Sequence, residues 1–324
     1  CSDVPCSTNN LTTSFGWDEN QEFMQHDVQE FLRVLLDNLE TKMKDNPELK
    51  DSIANIFRGQ YVNYIRCINV DFESSRKEFF YDLTLQVKGC KNLAESFDKY
   101  IEIEQLNGDN QYQTEEFGKQ DAKMGVEFTQ FPSVLHIHLS RFEYDPETDG
   151  MVKINDRYEF PPSIDLSKYL AKSDDDEATS DIYDLYGVLV HFGTVYAGHY
   201  YAYLRTSTDP QWYKFDDENV CAVQPEEAIE DNFGETATYS RSAYGYAGYG
   251  GYGHNAYHQH GKKYSAYMLI YIRRSDAPRI MASVKKEDVP EHLRLFAEKQ
   301  ILKEKWIAEE RTYHKHNLNF TILT

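Results

Sequence analysis

The stretch that most constrains this chain is GlyHisTyrTyrAlaTyrLeuArg at 198–205, followed by TrpTyrLysPheAspAsp at 212–217. Two aromatic-rich runs alternating in the strand period flank ThrSerThrAspPro at 206–210, a cluster of turn residues, so the segment reads as a β-hairpin. A turn centred between Ser207 and Thr208 sets His199 directly opposite Asp216. Opposed residues project from one face with Cβ atoms about 4.5–5.5 Å apart, close enough for a carboxylate to hold an imidazole N–H. That pair has two readings. One is a surface hydrogen bond across a hairpin. The other is the base-and-orienter half of a triad, in which the imidazole takes a proton from a thiol or hydroxyl and the carboxylate fixes its tautomer.

With 324 residues and 40% hydrophobic content, the chain can bury a large core. It holds no apolar run long enough to span a membrane. The first residue is Cys1, with no charged-then-apolar leader after it, which suggests a cut into a longer chain. PheThrIleLeuThr at 320–324 reads as a strand that stops as it begins. The net charge of −20 opposes duplex nucleic acid as a partner and favours a partly basic one. The cysteines at 1, 6, 67, 90 and 221 are odd in number, spread out and without a CxxC pair. That pattern fits a reducing compartment, cytoplasmic or nuclear, and neither a disulfide framework nor a zinc site.

From Gln21 to Lys44, Met24, Val28, Phe31, Leu32, Leu35, Leu36, Leu39 and Met43 recur at helical spacing and predict a core-facing helix. Asp27 and Glu30 share a face near its start, either as a solvated acidic patch or as acceptors for an Arg-bearing peptide. Strand-like pattern runs from Tyr61 to Val87, and Leu93, Phe97 and Ile101 mark a short helix. Residues 132–142 read as a buried strand on which His136 and His138 share a face. No third ligand stands near them, so structural or solvent-facing histidines are expected. The acidic run at 172–181 reads as a solvated loop, and the Gly193 and Gly198 backbone as a loop free to move over a cleft. The Tyr/Gly-rich tract at 239–257 predicts a flexible insertion, with His254, His258 and His260 in or beside it as a weak metal set and an RNA-binding tract as a rival reading. Residues 264–273 suit the centre of a sheet. Residues 286–313 suit a connector helix.

PheMetGlnHisAspValGlnGluPhe at 23–31, LeuSerArgPhe at 139–142, GlyHisTyrTyrAlaTyr at 198–203, PheAspAsp at 215–217 and SerAlaTyrMetLeuIleTyr at 265–271 together resemble the ubiquitin-specific protease family of cysteine deubiquitinases. SerPheGlyTrp at 14–17 and LeuAsnGlyAspAsnGlnTyr at 106–112 resemble most closely the herpesvirus-associated branch and its fungal counterparts. The resemblance implies an α+β, papain-like cysteine peptidase with finger, palm and partial thumb subdomains. Its catalytic domain would cover 1–275, with fingers at about 58–130 and palm at about 131–275. Residues 276–324 would then be a connector helix and the start of a following domain. The resemblance further implies His199 as general base, Asp216 as its orienter and Asp217 as a supporting carboxylate. Gln25, Asp27 and Glu30 would receive the arginine-bearing tail of ubiquitin, the implied partner. The family's finger zinc uses two CxxC pairs. Here Val70 follows Cys67, and Thr114 and Phe117 fill the second pair, so no metal or cofactor is expected and Cys67 should be a small buried hydrophobe. The family's GlyAsnThrCysTyr-like box, which carries the nucleophile, does not occur. Cys1 and Cys6 lack its neighbours, and Cys221 lies on the wrong side of Asp216. The chain is therefore expected to be inactive on its own, with a ubiquitin-binding pseudo-protease as the alternative.

Overall fold

The structure is a computed structural model that describes residues 9–14, 27–171, 181–235 and 264–321. It divides into a unit of residues 24–281 and a unit formed by residues 1–23 and 282–324. The larger unit is mixed α+β. Its strands are β1 Gly59–Cys67, β2 Glu73–Phe80, β3 Asp82–Gln86, β4 Glu104–Leu106, β5 Tyr112–Thr114, β6 Gly118–Gln120, β7 Ala122–Gln130 and β8 Val134–Ser140. They continue with β9 Phe142–Asp145, β10 Gly150–Lys153, β11 Ser163–Asp165, β12 Ile182–Gly193, β13 Gly198–Leu204, β14 Trp212–Asp216, β15 Asn219–Val223 and β16 Tyr264–Arg273.

One large sheet runs in the order β15-β14-β13-β12-β16-β8-β3, with β11 also pairing β12. The dense aliphatic strand expected at the sheet's centre is β16, flanked by β12 and β8. Leu135, Ile137 and Leu139 of β8 are fully buried, as are Val188 and Val190 of β12. Such apolar strands suit the middle of a sheet, where no edge meets water. Phe97, on the Leu93–Tyr100 helix, stacks on Tyr169 at 4.8 Å and closes the core beside Phe128 and Phe131. Asn92 caps that helix, its Oδ1 accepting from the Glu95 N–H at 3.0 Å.

A second sheet, in the order β2-β1-β7-β4, is more exposed. Within the 58–130 stretch, β3 leaves this sheet and pairs in parallel with β8 of the large one. In the β5–β6 hairpin the buried Thr114 hydroxyl donates to Gly118 O at 3.0 Å and accepts from Phe117 N–H at 2.9 Å. A hydroxyl thus closes this turn. Cys67 is only partly buried, because it ends β1 beside the exposed Ile68 rather than in the core.

The fully buried Arg141 pins several segments behind the large sheet. It donates to Ala266 O at 2.6 Å, Ile154 O at 3.0 Å, Asp156 O at 3.1 Å and Phe233 O at 3.4 Å. Asp181 does not belong to a solvated loop: its carboxylate meets Arg273 Nε at 2.7 Å, an ion pair that ties the start of β12 to the end of β16. The acidic residues 172–180 and the Tyr/Gly-rich tract with its three histidines lie outside the described residues.

In the other unit, the Glu291–Thr321 helix includes Phe320 and Thr321, so the chain is helical there rather than extended. Among the described residues, no helix is long and apolar enough to cross a membrane.

Candidate active site

The site is built on β13 and β14. Their register pairs Ala202 with Phe215, Tyr203 with Lys214 and Leu204 with Tyr213. The strands therefore pair two residues later than a turn at Ser207–Thr208 requires, and His199 sits diagonal to Asp216 instead of opposite it. The cause is the longer turn at 205–211, braced by Arg205, which donates to Thr208 O at 2.9 Å and Asp209 O at 3.1 Å. A slip of two keeps every side chain on its face, because strand alternation has period two. Diagonal neighbours remain within reach of long side chains. His199 Nε2 and Asp216 Oδ1 are 2.7 Å apart. With Nε2–H donated to the carboxylate, Nδ1 is left as the basic nitrogen.

Lys214, two residues before Asp216 and on the same face, brings its Nζ to 2.9 Å from Asp216 Oδ2. The His199 hydrogen bond, and then the Lys214 ammonium, hold the Asp216 carboxyl below the usual aspartate range. Asp217 occupies a two-residue turn between the paired Asp216 and Asn219, at φ 51. This left-handed conformation is one Asp tolerates better than most side chains. Single ligand atoms of His199, Asp216 and Asp217 all lie within 4.8 Å of one another. The Lys214 ammonium already neutralises Asp216, which opposes a metal ion there.

Gly193 and Gly198 serve close approach instead of loop freedom. Gly193 has φ +115, and a Cβ on it would stand 2.4 Å from Ala197 O. A Cβ on Gly198 would meet His191 Nε2 at 2.0 Å. The 193–198 turn closes through Thr194 N–H to Ala197 O at 2.9 Å. Lys153 Nζ supports its base, donating to His191 O at 2.8 Å. Burial, and then the charge of Arg141, draw the Lys153 pKa down to about 8.

The acidic helix start is placed differently from expectation. The helix runs Val28–Met43, and Asp27 is its extended N-cap, Oδ1 accepting from Gln29 N–H at 2.7 Å. Asp27 Oδ2 accepts from the Tyr267 hydroxyl and, at 3.5 Å, from that of Tyr200. Burial and Asp27 together raise both tyrosine pKa values. Glu30 is exposed one turn on. Gln25, Cys1 and Cys6 lie outside the described residues. Below Asp27, the buried Asp82 carboxylate takes Arg33 Nε at 2.9 Å and the Gln29 amide, joining the helix to β3.

His136 is a core histidine and His138 is half-buried. His136 stacks on Phe57 at 5.3 Å and His138 packs edge-on to Tyr267 at 4.7 Å. Burial lowers both pKa values, that of His136 to about 4. Cys67 ends a strand of the other sheet, and Cys90 is buried in the core. Cys221 sits on β15, opposite Lys214 and two strands from His199. Strands are spaced about 4.8 Å apart, so its sulfur is not the partner of the imidazole. Lys214, Tyr200 and Tyr267 were not anticipated as site residues. Lys214 alone could have been, because in LysPheAspAsp it alternates onto the face of Asp216.

The profile described as ubiquitin carboxyl-terminal hydrolase matches residues 2–271. Ubiquitin C-terminal hydrolase 12 of Arabidopsis thaliana is 49% identical over 92% of this chain and 26% of its own length. Ubiquitin carboxyl-terminal hydrolase 15 of Saccharomyces cerevisiae is 44% identical over 96% of this chain and 26% of its own length. The chain thus spans about a quarter of the length of these relatives. The structure of the SAGA Ubp8/Sgf11/Sus1/Sgf73 DUB module bound to ubiquitin aldehyde aligns with a TM-score of 0.62 and 26% identity, covering 82% of this chain and 53% of that one. The α+β architecture is accordingly that of a papain-like ubiquitin-specific protease, and the chain belongs to the ubiquitin carboxyl-terminal hydrolase family.

Proposed function

We propose that this chain is the base-bearing part of a thiol hydrolase that removes ubiquitin from protein conjugates. The observation that carries the reading is the 2.7 Å contact between His199 Nε2 and Asp216 Oδ1, which leaves Nδ1 to accept a proton. A cysteine thiol from another part of the full-length protein, neither Cys1 nor Cys6, gives its proton to His199 Nδ1 and attacks the carbonyl of ubiquitin's terminal glycine, where that glycine is joined to the lysine amine. His199 returns that proton to the departing lysine amine. It then draws a proton from water, which hydrolyses the thioester and restores the thiol. Asp216 fixes the tautomer throughout and stabilises the imidazolium, with the Asp217 carboxylate beside it.

Glu30, exposed and negative, and the shared carboxylate of Asp27 support docking of an arginine-bearing tail. The four-stranded sheet would be the finger region and the large sheet the palm, with the terminal unit leading to a following domain. The odd, dispersed cysteines support a cytoplasmic or nuclear setting.

A ubiquitin probe bearing a C-terminal electrophile tests the reading. Labelling of the full-length protein and none of this chain is expected. A full-length protein that binds ubiquitin but takes no label would replace the hydrolase with a ubiquitin-binding pseudo-protease. One that neither binds nor labels would overturn both.

A further inference from the structure

The Asp216 carboxylate has two oxygens, and each has its own partner. His199 Nε2 takes Oδ1 at 2.7 Å, and Lys214 Nζ takes Oδ2 at 2.9 Å. The lysine is not a loose surface charge. Its side chain is 27% exposed, and its Nζ lies 4.5 Å from the centre of the Tyr201 ring. The same Tyr201 ring packs at 6.3 Å from the imidazole of His199 and at 5.7 Å from Tyr203, whose hydroxyl reaches Glu227 at 3.3 Å. Tyr201 therefore supports the base and the lysine together, with Asp216 held between them.

A carboxylate with one partner turns readily, because torsions from an sp³ to an sp² carbon have broad minima. A cation on the second oxygen removes that freedom and favours one arrangement of the hydrogen bonds. The local charge points the same way. Asp216 and Asp217 place two carboxylates beside one imidazole, and the Lys214 ammonium is bonded to the first of them.

We propose that Lys214 is a positioning residue of the site: it clamps Oδ2 of Asp216 so that Oδ1 alone faces His199 and the imidazole stays with Nδ1 outward. The role rests on His199 being the base of the proposed hydrolase. The clamp itself is a property of this chain and can be read without any turnover.

The first measurement is NMR of the His199 Nε2–H in this chain, comparing the natural protein with Lys214→Met and Lys214→Arg. Methionine keeps an apolar stem over Tyr201 and removes the ammonium, whereas arginine keeps a donor. The clamp predicts a downfield, slowly exchanging Nε2–H in the natural chain. Its exchange should quicken about tenfold in Lys214→Met and recover in Lys214→Arg. An unchanged resonance in a folded Lys214→Met overturns the proposal. Should Lys214→Met not fold, Lys214→Gln replaces it, with the same two outcomes. The second measurement is steady-state cleavage of a fluorogenic ubiquitin amide by the full-length protein. Lys214→Met should lower kcat about tenfold with KM within about twofold, and Lys214→Arg should restore most of it. A rise in KM at unchanged kcat would make Lys214 a ubiquitin contact and end the positioning role. If the natural full-length protein neither cleaves nor labels, the hydrolase reading fails while the resonance still decides the clamp.

Discussion

His136 makes a sharp prediction about acid stability. It is 6% exposed, its Nδ1 has no hydrogen-bond partner, and burial lowers its pKa to about 4. The unfolded imidazole titrates near about 6.5, so the unfolded chain binds a proton that the folded chain refuses between those two values. Stability from this residue is complete above the unfolded pKa and is lost as pH falls from about 6.5 towards about 4. Going from about pH 7 to about pH 5 crosses roughly 1.5 units of that window, and at about 1.4 kcal/mol per unit the loss is about 2 kcal/mol. His136→Phe keeps a flat ring against Phe57 and cannot titrate. Urea unfolding of both proteins at several pH values, with linear extrapolation, isolates the effect, because the other titrating groups are common to both. The gap between the proteins should move by about 2 kcal/mol in favour of the variant on acidification. Parallel curves would refute the argument and mean that the imidazole is protonated in place.

Three further outcomes follow from the geometry. Arg141→Met takes the guanidinium donor from the Ala266, Ile154 and Asp156 carbonyls, while Phe233 O keeps the Tyr158 N–H, and should cost about 3–5 kcal/mol by urea unfolding; a loss below about 1 kcal/mol would show that the cation is not a hub. Gly193→Ala meets both a φ of +115 and the Ala197 carbonyl at 2.4 Å, so hydrogen exchange of the 193–198 amides should speed up by an opening energy of about 1–3 kcal/mol, and unchanged protection would contradict the close approach. Asp216→Asn in the full-length protein should slow probe labelling by about 100-fold or more while ubiquitin binding persists; equal loss of both would make Asp216 a binding residue.

The chemistry on β13 and β14 was legible because it depends on parity, which alternating aromatic residues display directly. The exact register was not, because it depends on how Arg205 braces the turn, and a side-chain-to-carbonyl bond leaves no mark on hydropathy. The true start of the first long helix was visible in principle: Asp27 followed by Glu30 has the spacing of a capping signature, but the apolar Met24 extended the stripe past the cap. Arg141 could be recognised only as part of LeuSerArgPhe. Its acceptors lie 13 to 125 residues away, so their convergence is a property of the fold and not of any local run. The same holds for Asp27, whose tyrosine partners stand 173 and 240 residues along the chain.

The two halves of the proposed site are linked through neighbouring residues of one strand. His199 and Tyr200 are consecutive on β13, so their side chains leave opposite faces. One meets Asp216; the other reaches Asp27 and packs 4.9 Å from His191. The pairing of His191 with Tyr200 and of Phe192 with His199 sets both directions together. That pairing in turn needs Gly198, since any side chain there would collide with the His191 imidazole. A slip of one residue between β12 and β13 would turn Tyr200 away from the helix cap and move His199 to the opposite face of the sheet in the same step. The glycine before the histidine thus sets two directions at once, that of the proposed base on one face of the sheet and that of the tyrosine that reaches Asp27 on the other.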